Sequence, residues 1–266
     1  MIFRLIFLIV VFVLPCVAIF TGLSCLPLQA TGPKPEAYPE CVILLHGLGR
    51  TSDSMDDMAR ALKDAGFDTI NLDYPSREFS VETLAMDIIP RGIRHCRAQG
   101  AKKLHFVTQS MGGILLRYYL TQRSIENFGR AVMLSPPNQG SELVDELKDN
   151  ALYQWYHGPA GLQLGTGPDS FVAGLGPVNY PVGVITGNTH AIFDAWFASK
   201  IPGDDDGKVS VERAKVEGMT DFLELPFSHP FIMQKEAVAE QTIHFLHHGM
   251  FHRPSETGGE AFTGGK

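Results

Sequence analysis

A chain of 266 residues has room for one sizeable domain rather than two. Its 44% hydrophobic and 19% charged residues are an ordinary globular balance, with enough apolar material for a large core. The net charge of −7, without a dense basic patch, argues against nucleic acid as a partner.

From Leu5 to Leu28 no side chain is charged, and Arg4 is the single early charge. A run of ~18 or more apolar residues can span a bilayer, whereas a cleaved signal usually carries ~7–15. Arg4 and the terminal amine hold the N-terminus on the cytoplasmic side and export the remainder. The segment therefore reads as an uncleaved membrane anchor, or as a signal peptide cut near Ala30. Lipidation at Cys25 is a third reading, though Gly22-Leu23-Ser24-Cys25 lacks the usual leucine three residues before the cysteine. Residues 1–30 are assigned to this anchor or signal and 31–40 to a linker containing Pro33-Lys34-Pro35. The folded domain takes 41–252, and 253–266 have the Gly, Ser and Thr content of a disordered tail. The domain is expected to face the periplasm or exterior, held at the membrane or released.

After the linker the elements alternate. Val42-Ile43-Leu44-Leu45 is a continuous apolar run, as in a parallel strand covered on both faces. Helical spacing follows from Ser54 to Ala65, where Ser54-Met55-Asp56-Asp57 fits a capping box and Gly66 stops the helix. Thr69–Leu72 is a strand, Val81–Arg97 a helix, Leu104–Val107 a strand and Gly112–Leu120 a helix. Strands at Ala131–Leu134, Val182–Ile185 and Phe222–Leu225 follow, and a last helix spans Phe231–His247. Strands separated by helices of this length predict an α/β fold with a mostly parallel, doubly wound sheet. The stretch 141–181 breaks the rhythm, is rich in Gly and aromatics, and is expected to form a small cap over the carboxyl ends of the strands. The exported part keeps two cysteines, Cys41 at the start of the first strand and Cys96 at the end of the second helix. A disulfide and two buried free thiols are both open readings.

The most specific motif is Val107-Thr108-Gln109-Ser110-Met111-Gly112-Gly113, set where a strand ends and a helix begins. This is the setting of a nucleophile elbow, whose sharp turn lifts a serine hydroxyl above the sheet. Small residues two before and two after the serine permit close packing. Gly112 serves on one side, and Thr108 stands where glycine is usual. Ser110 needs a base, an orienting acid and an oxyanion site, and on such an elbow the chain order is Ser, then Asp or Glu, then His. His229 follows the last strand directly and is the candidate base, whereas His244, His247 and His248 lie on or at the end of the final helix. The acid belongs in the turn Gly203–Val209. Asp206 is preferred because it precedes Gly207 and leads into Val209, with Asp205 second and Asp194 third. Backbone N–H groups for an oxyanion come from Met111 and from the loop His46-Gly47-Leu48-Gly49, at Leu48; His46 reads as a residue that positions this loop. The histidines and cysteines lack metal-binding spacing, and GxGxxG is absent, so neither metal nor cofactor is expected.

These residues resemble bacterial α/β-hydrolases of the lipase and esterase kind, an acetyltransferase/hydrolase group related to triacylglycerol lipases. The resemblance runs from about Cys41 to His248. Leu44–Arg50 is similar to the family's HG oxyanion motif, and Thr108–Gly113 to its THSMGG-type elbow, with Gln109 where His is frequent. Ser135-Pro136-Pro137-Asn138-Gln139-Gly140-Ser141 resembles the segment after the next strand. Asp206-Gly207-Lys208-Val209-Ser210 resembles the element carrying the acid, and Ser228-His229 the one carrying the base. The resemblance implies an α/β-hydrolase fold and a Ser110–His229–Asp206 triad that cleaves carboxylic esters or lipids through an acyl-enzyme. An acyltransferase using the same intermediate and a non-catalytic binding module of the same fold are the alternatives.

Overall fold

The computed structural model describes residues 40–190 and 192–253. The expectations for an anchor or signal, for the linker up to residue 39 and for a tail from residue 254 lie outside the described residues. Among the described residues no helix is long and apolar enough to cross a membrane.

Six strands form one sheet: β1 (Glu40–Leu45), β2 (Asp68–Leu72), β3 (Lys103–Gln109), β4 (Phe128–Leu134), β5 (Val182–Gly187) and β6 (Asp221–Leu225). Their order is β2-β1-β3-β4-β5-β6 and every pairing is parallel. All carboxyl ends thus lie along one edge, the edge where α/β sheets place ligands. The main helices are α1 (Asp56–Asp64), α2 (Val81–Ala98) and α3 (Met111–Gln122). Between β4 and β5 come α4 (Glu142–Leu147) and α5 (Ala151–Leu162). The short turns α6 (Ala195–Ala198) and α7 (Val211–Ala214) precede β6, and α8 (Glu236–His248) ends the domain.

The pleat sorts β1 between two cores, since successive side chains point to opposite faces. Cys41, Ile43 and Leu45 pack with Val81, Leu84 and Ile88 of α2 and Ile114 and Leu115 of α3. Val42 and Leu44 pack with Met58 and Leu62 of α1 and with Val238 and Phe245 of α8. An apolar run without alternation is the pattern such a strand requires. The 141–181 segment also contributes Val144, Ala160, Leu164, Val172 and Val178 to the first core.

The start of the first helix differs from the expected one. Helix α1 is entered through a 3-10 turn, Ser52–Met55, and Ser54 Oγ donates to the Thr51 carbonyl at 2.7 Å instead of capping. Helix α2 does have a side-chain cap, Ser80 Oγ accepting the Thr83 N–H at 3.4 Å. Of the two readings for the cysteines, the structure forms the disulfide, joining Cys41 of β1 to Cys96 of α2 with a Cα separation of 5.7 Å.

Candidate active site

Strand β3 stops at Gln109, and Ser110 carries φ 52° and ψ −122° before α3 begins at Met111. Positive φ is uncommon for a residue with a Cβ and costs of order 1–3 kcal/mol, so surrounding contacts must hold it. One is the Ser110 N–H, which donates to Leu134 O of β4 at 2.8 Å. Close approach of α3 is another. A Cβ on Gly112 would lie 2.6 Å from Leu45 O and 2.9 Å from His46 O, so only glycine lets the helix start this near β1. Thr108, unexpected in such an elbow, is accommodated opposite Gly113, where an added Cβ would stand 3.3 Å from Thr108 Oγ1.

His229 and Asp206 reach this serine from two later loops. His229 Nε2 lies 3.0 Å from Ser110 Oγ, and its Nδ1 lies 2.8 Å from Asp206 Oδ2. A carboxylate on Nδ1 keeps the proton there and turns the Nε2 lone pair toward the serine. Asp206 is fully buried, and its Oδ1 accepts the N–H groups of Lys208 at 3.0 Å and Val209 at 2.9 Å. The Asp206 carbonyl accepts the His229 N–H at 2.9 Å, so backbone and side chain together lock the two loops. Gly187, at the end of β5, permits this crossing: a Cβ there would sit 1.9 Å from Phe227 O and 3.0 Å from Asp206 Cβ.

The neighbouring aspartates face elsewhere. Asp205 Oδ1 accepts the Gly207 N–H at 2.7 Å and stands 3.9 Å from His190 Nδ1. Burial raises its carboxyl above the usual aspartate range, with the Gly207 hydrogen bond opposing. Asp194 accepts from Lys208 Nζ at 2.9 Å. Neither Asp205 nor Asp194 contacts His229; Asp206 does.

The loop after β1 borders the serine. An added Cβ on Gly47 would lie 3.1 Å from Ser110 Cβ. The Arg50 N–H donates to Gly47 O at 3.3 Å, closing a turn in which Gly49 takes φ 67°. Leu48 sits within that turn, and Met111, first in α3, has an N–H with no intrahelical acceptor. His46 is buried beneath, with Nδ1 donating to Gly47 O at 2.9 Å and Nε2 accepting the Tyr74 N–H at 3.3 Å. Its ring stacks on Tyr74, whose hydroxyl donates to the His46 carbonyl. Burial lowers the His46 pKa, which suits the neutral ring these bonds require. Helix α5 closes in above, since an added Cβ on Gly161 would lie 3.0 Å from Leu48 Cδ2.

Several contacts at the site have no mark in the sequence. Ser76 Oγ accepts the Gly49 N–H at 3.0 Å, and Arg50 Nη2 donates to Pro230 O at 3.0 Å, joining the β1 loop to the His229 loop. Gln109 Nε2 lies 3.3 Å from His229 Nε2; the only hint was that histidine is frequent at its place in the resembled family. Among the described residues no group of three or more His, Cys, Asp or Glu is arranged to hold a metal ion.

No family model and no curated protein matches the chain. Solved structures do. The lipase BlEst2 of Bacillus licheniformis in its mature form superposes with a TM-score of 0.57 at 21% identity, over 77% of this chain and 89% of that one. Phospholipase PlaB from Legionella pneumophila gives a TM-score of 0.54 at 18% identity, over 66% of this chain and 45% of that longer one. A hydrolase from Pseudomonas aeruginosa gives 0.52 at 17% identity, over 80% of this chain and 91% of that one. With the all-parallel sheet, these likenesses define the α/β-hydrolase fold, as the elbow motif led us to expect.

Proposed function

We propose that the protein is a serine ester hydrolase. The observation that carries this reading is the continuous contact from Ser110 Oγ through both nitrogens of His229 to a buried Asp206, at 3.0 and 2.8 Å. Ser110 Oγ attacks the ester carbonyl while His229 Nε2 takes the hydroxyl proton. Asp206 holds the ring and stabilises the imidazolium. The N–H groups of Leu48 and Met111 receive the oxyanion; losing one such donor typically costs ~100–1,000-fold in turnover. His229 then returns the proton to the departing alcohol, and water, activated by the same imidazole, releases the acid from Ser110.

Esters with apolar acyl chains, lipids among them, are the substrates this reading favours. The segment 141–181 acts as the cap, and α5 presents Leu152 and Trp155 at 70% and 79% exposure, with Tyr156 beside them on the same face. Helix-spaced apolar side chains left in solvent suit contact with acyl chains. A lipase and a phospholipase share the fold. The apolar Leu5–Leu28 stretch would hold the domain at a membrane with its catalytic face exported, and the Cys41–Cys96 disulfide suits an oxidising compartment.

Purified protein should label with a fluorophosphonate probe and hydrolyse p-nitrophenyl acetate, and Ser110→Ala should do neither. Equal labelling of the variant would remove the assignment. Carbonate extraction of membranes should leave the protein in the pellet if Leu5–Leu28 stays as an anchor, and release it if that segment is cleaved.

A further inference from the structure

We propose that Gln109 is a positioning residue whose side-chain amide turns over as His229 gains and loses its proton, an inference that rests on the serine-hydrolase reading. Gln109 ends β3, directly before the serine, and is almost wholly buried. Its amide lies between the two halves of the site. On one side Nε2 is 3.3 Å from His229 Nε2. On the other, Oε1 is buried with no hydrogen-bond partner and faces Gly47, where an added Cβ would stand only 2.0 Å away.

A buried acceptor without a donor is rare in a folded protein and calls for a physical reason. The protonation cycle of His229 supplies one. With Asp206 on Nδ1, the resting imidazole offers a single lone pair at Nε2, and two donors share it: the Ser110 hydroxyl at 3.0 Å and the Gln109 amide. When Ser110 gives up its proton and its oxygen bonds to the ester carbon, that proton sits on Nε2, which becomes a donor. The amide NH2 then faces an N–H, an unfavourable pairing. Carbonyl and amino ends of a carboxamide have nearly the same shape, so half a turn about Cγ–Cδ brings Oε1 to the imidazolium and the NH2 to the Gly47 side. The bare Cα of Gly47 leaves the room for either end. When the proton leaves for the alcohol, the amide turns back.

Other charged and titratable groups around the ring are accounted for. Asp206 holds Nδ1, Asp205 is turned to the Gly207 N–H and His190, and Arg50 donates to the Pro230 carbonyl. His46 is engaged by Gly47 and Tyr74. Beside Ser110 itself, Gln109 is the polar side chain placed on the nitrogen that changes charge.

The test uses the full-length, 15N-labelled protein. In the free state the Gln109 side-chain NH2 should show nuclear Overhauser contacts to the His229 ring. In the tetrahedral adduct of Ser110 with phenylboronic acid, which holds the imidazolium, these should be replaced by contacts to the Gly47 α-protons. Contacts to His229 that persist in the adduct would overturn the proposal. The nearly isosteric Gln109→Met should lower kcat on p-nitrophenyl acetate about tenfold, a part of the ~100–10,000-fold that a general base contributes, with KM within about twofold; kcat held within about twofold would also overturn it. Failure of the unsubstituted protein to label with fluorophosphonate would instead bring down the hydrolase reading, and this one with it.

Discussion

Asp204, Asp205 and Asp206 adjoin in the sequence, yet their surroundings separate their chemistry. Asp206 takes two backbone N–H groups on one oxygen and His229 on the other, so its charge is fully used without solvent. Asp205 is bound to the Gly207 N–H and stands 3.9 Å from His190 Nδ1. Replacing Asp206 by Asn leaves the size but presents an amide to Nδ1, which reverses the ring's tautomer. Turnover of p-nitrophenyl acetate by Asp206→Asn should therefore fall by a factor on the order of 10⁴. Asp205→Asn should stay within about threefold, because the Gly207 bond survives in an amide. Equal losses in the two kinetic assays would contradict the orientation of the loop. In the spelling Asp-Asp-Asp-Gly only the place before Gly207, together with the family resemblance, favours Asp206. The contacts that separate Asp206 from Asp205 come from the fold of the loop.

At the scale of elements, glycines mark where pieces of chain touch at backbone distance. Gly112 sets α3 against β1, Gly187 lets the loops of Asp206 and His229 cross, and Gly47 admits Gln109 beside the serine. Gly112→Ala forces a methyl to 2.6 Å from Leu45 O, a contact relieved only by shifting α3 and with it Ser110. We expect a loss of about 1–3 kcal/mol in urea denaturation, with esterase activity falling by more than stability explains. Strands and long helices were legible because apolar runs and helical spacing are local. The capping box at Ser54 did not form. Ser54 and Met55 lie in a tight 3-10 turn whose first residue is tied to Asp73 and Asn71 near the end of β2, through Ser52 N–H to Asp73 Oδ1 at 3.0 Å and Asn71 Nδ2 to Ser52 O at 2.8 Å. A contact with the neighbouring strand decided that helix start, which no window of local sequence contains.

Across the whole molecule, the sheet edge gathers loops that follow β1, β3, β5 and β6, and the disulfide ties β1 to α2 beneath. The bridge closes a separation of 55 residues, so it restricts the unfolded chain considerably. Converting both cysteines to alanine should lower stability by roughly 2–4 kcal/mol, read from the urea midpoint, and dithiothreitol should lower that of the unsubstituted protein similarly. The site lies at the opposite end of β1 and should keep its esterase rate under native conditions.

The alternation of strands and helices, the turn that carries Ser110, and the chain order of the candidate acid and base are legible along the chain. Those properties reside in a few adjacent residues: side-chain periodicity, glycine where a turn is sharp, an apolar run where a strand is covered. That Cys41 meets Cys96, that Asp206 and not Asp205 contacts His229, and that Gln109 shares its Nε2 follows from the folded arrangement. Each of these joins atoms far apart along the chain, 120 positions in the case of Gln109 and His229, and depends on how loops settle against one another after the sheet has formed.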